Sequence, residues 1–220
     1  MPTQDAGVDA GPADGTLLTA RGVRSREALL AAARRLFATK GYAKTKIADI
    51  TEEAGRALGS FYTYFENKEA VLEQLAEDFK AEIDDRVTEI DLGGSEPYDV
   101  VREVCAVYWN ACRDHSADLA AIFQASMVEP RFAERWRDIR ADPRDKIAAG
   151  IRAVAASGRA GNPDPEATAS ALGSMMDYFC YVWLVEGGES GRAMLADDVA
   201  IDTMSRVFYR TVFAESEPAS

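Results

Sequence analysis

Residues 45–69 read TKIADITEEAGRALGSFYTYFENKE. Thr45 offers a side-chain oxygen ahead of a short run in which Ile47, Ile50 and Ala54 share one helical face, and Gly55 ends that run. A second short helix, from Ala57 to about Tyr64, is expected to bury Leu58, Phe61 and Phe65 and to turn Gly59, Ser60 and Thr63 outward. Helix, tight turn, helix is the layout of an element that enters a major groove about 12 Å wide, with short polar side chains at base edges and Lys or Tyr on phosphates. Phe61 and Phe65 read as core, whereas Tyr62 and Tyr64 suit either core or surface.

Outward from this stretch the chain reads as helix throughout. Leu29, Ala33, Leu36 and Phe37 form an amphipathic stripe, and Gly41 follows it as a C-cap in the positive-φ region. Asn67 is placed to cap a long fourth helix reaching about Ile90, with Val71, Leu72, Leu75, Phe79 and Ile83 inward. After a break at 91–95, residues 97–114 are apolar nearly all round and are expected to be buried. Segments 116–127 and 131–157 follow, the latter kinked or broken by Pro143, then a loop over 159–165. Two strongly apolar helices, about 165–186 and 197–214, close the chain. The first twenty residues lack an apolar period and read as a disordered tail. The fold class is therefore all-α: a three-helix helix-turn-helix domain over 21–66 and a helical-bundle body over 67–220.

Charge divides along the same line. The whole chain carries −12, yet residues 21–68 hold ten Lys and Arg against five Asp and Glu, about +5. Residues 69–220 hold 15 basic against 29 acidic side chains, or −14, and the first twenty add −3. A basic module on an acidic body suits nucleic-acid contact at one end. No signal peptide is visible in residues 1–20, and the most apolar stretch, 171–185, is too short to span a bilayer. Cys105, Cys112 and Cys180 do not make a disulfide scaffold, so the expected compartment is the reducing cytoplasm.

The stretch resembles the DNA-binding domain of the TetR family. The resemblance is carried by Thr45, Ile47, Asp49-Ile50, Ala54-Gly55, Gly59, Phe61-Tyr62, Tyr64-Phe65 and Lys68-Glu69, with Leu36-Phe37 and Gly41-Tyr42 upstream; it covers roughly residues 24–80. It implies that Gly59, Ser60, Tyr62, Thr63 and Tyr64 lie near DNA, that Lys68 meets the phosphate backbone, and that Thr45 and Lys46 stand at the start of the second helix. Arg56, where the family usually has a small apolar residue, is either an extra phosphate contact or a solvent-facing turn residue; Ala48 stands where a base is sometimes found. Arg21, Arg24 and Arg26 could add contacts from an arm. The resemblance further implies a homodimer through the last two helices, a pseudo-palindromic double-stranded operator and repression relieved by a small ligand, with activators also known in the family.

The ligand expectation has a basis in the residues. Trp109, Phe123, Met127, Trp136, Met175, Met176 and Phe179 lie on body helices and offer wide, adaptable apolar surface. Each suits an ordinary core; as a group they are candidates to line a pocket for a small hydrophobic effector. Two other readings compete. His115, the lone histidine, follows Cys112 at i+3, but nothing marks an activated nucleophile or an orienting third group, so no catalytic residue is assigned; a histidine capping its own helix is the simpler role. Cys105 and Cys112 share a helix face about 10 Å apart along the axis, too far to bridge, and read as buried thiols. One histidine and three scattered cysteines make no zinc site, and no cofactor is expected.

Overall fold

The computed structural model describes residues 19–90, 96–157 and 164–213. The tail proper (1–18), the 91–95 break and most of the loop expected at 159–165 lie outside the described residues. Thr19 and Ala20, assigned from sequence to the tail, instead start the first helix: the Thr19 hydroxyl accepts from the Gly22 amide at 3.2 Å and α1 runs Ala20–Lys40. Its apolar stripe (Leu29, Leu30, Ala33, Phe37) is buried, and Gly41 ends it with φ 82°, ψ 152°. The positive φ is what asks for glycine here; a Cβ would meet Gln124 Oε1 only at an ordinary contact distance of 3.5 Å.

The next three helices are α2 (Ile47–Glu53), α3 (Leu58–Phe61) and α4 (Lys68–Thr88). Gly55 turns the chain between α2 and α3 at φ 62°. Asn67 caps α4 through the Ala70 amide at 2.8 Å. The body adds α5 (Pro97–Asp114), α6 (Ser116–Val128), α7 (Pro130–Ile139), α8 (Ala141–Ala156), α9 (Pro165–Leu184) and α10 (Asp197–Phe213). The break in the 131–157 segment falls at Arg140, before Pro143, which sits in the first turn of α8 where its missing amide proton is not needed. α5 is less buried than its composition suggests: Cys105, Trp109, Ala111 and Cys112 face the core, while Arg102, Glu103, Arg113 and Asp114 form a solvent edge.

Packing joins the two halves. One buried cluster runs from Leu29, Phe37, Ile50, Phe61 and Leu72 into Ile122, Ala125 and Phe132 of α6 and α7. A second surrounds Trp109, Cys112, Cys180, Trp183 and Met204, and a third lies between α8, α9 and the end of α10. α10 lies along α5 and α9 along α8. Met204 is 1% exposed and belongs to the interior of the protomer, while Phe179 is half-buried and packs between Trp109 and Trp183. Outward positions of the last two helices include Ala167, Ala171 and Tyr178 on α9 and Val199, Thr203 and Val207 on α10.

Candidate nucleic-acid interface and body cavity

The outer surface of α2, the turn and α3 is open and sets short side chains beside long basic ones. Lys44, Lys46, Arg56, Gly59, Tyr62 and Thr63 are exposed, and a Cβ added at Gly59 would meet nothing within 4 Å. Tyr62 is 58% exposed, whereas Tyr64 is half-buried against the N-terminal core. Ser60 is also half-buried, and its hydroxyl donates to the Ala57 carbonyl at 2.8 Å. Leu58, expected inside, is 51% exposed. The α3 helix is one turn long, and periodicity cannot place a residue on a buried face when the helix stops before the next turn. An exposed Leu at this point could meet a thymine methyl.

Thr45 is 2% exposed and its hydroxyl donates to the Gly41 carbonyl at 2.8 Å, so it shapes the α1–α2 loop from within. The N-cap position of α2 is Lys46, whose amide donates to Asp49 Oδ2 at 2.8 Å. Asp49 also accepts from Lys40 Nζ, and these bonds hold its carboxyl below the usual range. Lys68 Nζ donates to the carbonyls of Tyr42 (2.9 Å) and Thr45 (3.2 Å) and stands 4.0 Å from the Tyr42 ring centre. Two of its three protons are thereby used, leaving one for an outside acceptor. Burial lowers the Lys68 pKa. Among the described residues, Lys44, Lys46 and Arg56 have no carboxylate partner. Lys44 was not singled out from sequence; its place in a tight loop beside the start of α2 is what aims it outward. Arg26 stacks on Phe65 at 5.5 Å and does not form part of this surface.

This interface is braced from the body. Arg34 Nε on α1 donates to Asp118 Oδ2 on α6 at 2.7 Å, and the Tyr42 amide donates to Gln124 Oε1 at 3.2 Å. His115 closes the bracket: Nε2 lies 2.8 Å from Glu82 on α4, and Nδ1 lies 3.4 Å from Asp118 Oδ2. The histidine expected to cap its own helix thus joins three helices. Asp118 first, then Glu82, raises its pKa against the opposing effect of burial. A raised histidine pKa stabilises the fold fully below the unfolded value of about 6.5 and loses that contribution as pH rises through the folded value. Wild-type protein is therefore expected to lose up to about 1 kcal/mol between pH 6 and pH 8 relative to His115→Gln. Thermal melts across that range check this, and parallel curves for the two proteins would refute it.

The body holds a cavity of about 450 Å³ between α4, α5, α7, α8 and α9, with Phe208 of α10 at its edge. Phe79, Ile83 and Val87 of α4, Val104 of α5 and Ile147 of α8 supply its apolar walls. Of the seven residues proposed from sequence, Trp136 and Met176 line it. The others are placed elsewhere. Trp109 is 1% exposed and its Nε1 donates to Asp197 Oδ1 at 2.8 Å; Phe179 packs on it. Phe123 stacks on Tyr181 at 4.3 Å, Met175 packs between two core clusters, and Met127 is 73% exposed. Polar groups missed from sequence also line the cavity. Asp177 accepts from the Tyr108 hydroxyl and from Arg140 Nε at 3.0 Å, and its burial raises its pKa. The composition of α9 could have suggested Asp177, the one acid beyond the first turn of an apolar helix; the long basic side chains of α7 and α8 gave no comparable signal.

Cys105, Cys112 and Cys180 are buried free thiols. Burial pushes Cys105 up to about 11, and a hydrogen bond with Cys112 raises Cys180. The raised pKa keeps Cys105 and Cys180 protonated and poorly nucleophilic. Among the described residues no helix is long and apolar enough to cross a membrane.

Residues 29–75 match the family model described as bacterial regulatory proteins, tetR family. Over 110 residues the chain is 31% identical to the HTH-type transcriptional regulator EthR of Mycolicibacterium smegmatis, a stretch covering 50% of this chain and 51% of EthR. The chain thus spans about half the length of that relative, and a smaller share of others of the kind. The fold is that of a protein assigned as a TetR-family transcriptional regulator in Syntrophomonas wolfei, with a TM-score of 0.74 and 19% identity over 86% of this chain and 95% of that one. It is equally that of Salmonella enterica GusR, with a TM-score of 0.71 and 20% identity over 89% and 98%.

Proposed function

We propose that the chain, whose residues 29–75 match the tetR family model, is a transcriptional regulator of that family, acting as a homodimeric repressor released from a pseudo-palindromic operator by a small molecule bound in the body cavity. The observation that carries the DNA half is the exposed α2–α3 surface: small residues at Gly59 and Thr63, Tyr62 standing out, and Lys44, Lys46 and Arg56 without carboxylate partners on a chain otherwise strongly acidic. Short side chains let the backbone approach base edges while the lysines and Arg56 meet phosphates. The acidic body repels DNA elsewhere and so favours one orientation.

The observation that carries the effector half is a cavity roofed by α4, the helix that begins at Lys68 under the α1–α2 loop. A ligand that prefers one position of α4 also prefers one position of the DNA-reading surface. It acts through that difference in affinity and not through tightness alone. A dimer places two reading surfaces about one helical turn of DNA, roughly 34–36 Å, apart, and a changed spacing no longer fits successive grooves.

Selection of bound duplexes from a random library, followed by release with a ligand panel, tests this reading. Binding is expected to fall steeply with salt. Lys46→Ala, on an exposed side chain, is expected to flatten the slope of log affinity against log salt by about one unit with an unchanged melting temperature. Lys68→Ala is expected to flatten it similarly and also to lower the melting temperature, because the Tyr42 and Thr45 carbonyls lose their donor. Thr63→Ala is expected to change the preferred bases and leave the slope alone. Wild-type affinity and slope in both lysine variants would refute the phosphate assignment.

A further inference from the structure

Five cations line the body cavity, Lys80, Arg137, Arg140, Arg144 and Lys146, against two carboxylates, Asp84 and Asp177. This is unusual for the surroundings: residues 69–220 hold 15 Lys and Arg against 29 Asp and Glu, so a third of the scarce cations gather at one cavity. Three of the five are already matched. Lys80 reaches Asp84 (2.5 Å) and Asp142 (2.8 Å), and Lys146 reaches the same pair (2.9 and 3.0 Å), a closed square of two positive and two negative groups. Arg140 is held by Asp177 at 3.0 Å.

Two guanidinium groups remain. Arg137, in the last turn of α7, has no hydrogen-bond or carboxylate partner among the described residues. Arg144, one turn into α8, meets its chain neighbour Asp145 at 3.0 Å, a carboxylate 69% exposed and readily given up to water. These two leave net positive charge at the α7–α8 side, while the α4 side is apolar through Phe79, Ile83 and Val87. A guanidinium offers a planar fork of donors that fits a carboxylate or phosphate bidentately and gains strength when the ligand shields it from water.

We propose that the effector of this cavity is an amphipathic organic anion, its charged head held by Arg137 and Arg144 and its apolar part laid along α4. The assignment rests on the reading of the cavity as the effector site. It narrows that site from a simple apolar pocket to one with a polarity: a neutral hydrophobe leaves both guanidinium groups unmatched, and a cationic amphipath brings like charge to them. The head group also decides direction. An anion drawn to α7 and α8 places its tail against α4, the helix that carries Lys68, and so couples charge recognition to the DNA-reading surface.

Three ligands with the same decyl chain test this on the full-length protein: decanoate, decanol and decyltrimethylammonium, each below its micelle concentration. Binding is read by the fluorescence of Trp136, which lines the cavity, with Trp136→Phe separating its signal from the buried Trp109 and Trp183. Decanoate is expected to bind about tenfold tighter than decanol, and the ammonium weakest. The variant carrying Arg137→Ala and Arg144→Ala is expected to lose about tenfold for decanoate and nothing for decanol, with an unchanged melting temperature. Decanol or the ammonium binding as tightly as decanoate, or full decanoate affinity in the double variant, overturns the proposal and leaves the cavity as an effector site. Failure of all three to bind overturns the proposal and the effector site together.

Discussion

Replacing Phe61 by Ala is expected to remove about 3–5 kcal/mol of stability and to abolish operator binding. Phe61 is 0% exposed, lies 5.7 Å from the ring of Phe65, and is the buried residue of α3. That helix has four residues, far below the length at which a helix holds by itself. Its position is therefore set by this one side chain inserted among α1, α2 and α4. Removing the ring leaves a cavity in a cluster that continues into α6 and α7, so the loss is felt by the whole fold, whose margin is of the order of 5–15 kcal/mol. Chemical unfolding and anisotropy of a labelled operator measure the two effects. Phe61→Leu, which keeps most of the volume, is expected to lose less stability and retain measurable binding. Tyr62→Ala, at the exposed neighbour, is expected to weaken binding with almost no change in stability. A Phe61→Ala protein with the melting temperature and affinity of wild type would show that α3 is held by something else.

A comparable effect is expected from charge on the outward side of α9. Ala167, Ala171 and Tyr178 recur at helical spacing along one exposed stripe, and Val199 and Val207 stand out from α10. Small residues allow two such helices to approach closely, and an exposed Tyr supplies apolar area with a polar tip. Placing Glu at both Ala171 and Tyr178 is expected to convert a dimer to monomers and to weaken operator binding by about 10²–10⁴, the gain that two linked half-site contacts provide. Light scattering gives the mass and a half-site duplex gives the intrinsic contact, which is expected to survive. The helix itself is expected to stay folded, because its buried side (Leu172, Met176, Cys180, Trp183) is untouched. A wild-type monomer in light scattering, or a double variant that remains dimeric, would remove α9 from the interface.

The contrast with Phe179 and Met204 shows what pattern reading misses. Both stand on strongly apolar helices, and from sequence alone the apolar surface of 167–185 and 200–213 is one undivided candidate for pairing. In the folded chain Met204 is buried within the protomer and Phe179 is half-buried between two tryptophans, and the exposed stripe is made instead of Ala167, Ala171 and Tyr178. Hydropathy marks a helix that must be covered; it does not say which side its own chain covers. The same limit applies to the cavity. Large apolar side chains are what a pocket and a core have in common, so five of the seven candidates fell elsewhere, while exposed cations on α7 and α8 that resemble ordinary solvated charges stand at the rim of the cavity.

The amino-acid sequence by itself determined the all-helical class, the extent of most helices and the helix-turn-helix, because these rest on local chemistry: apolar residues at helical spacing, Asn67 as a side-chain acceptor, Gly41 and Gly55 where the backbone takes positive φ. It also placed charge, since the +5 of 21–68 against the −14 of 69–220 is a count along the chain. Tertiary structure alone decided what depends on partners distant in sequence. It buried Thr45 and left Leu58 in solvent, set Lys68 under the carbonyls of Tyr42 and Thr45, and made His115 a joint between α4 and α6. It also left Arg137 unmatched at a cavity whose other cations found carboxylates. The physical reason is common to all of these. A helix is specified by neighbours within a turn, whereas burial and ion pairing are decided by side chains that tens of residues of intervening chain bring together only when the fold closes.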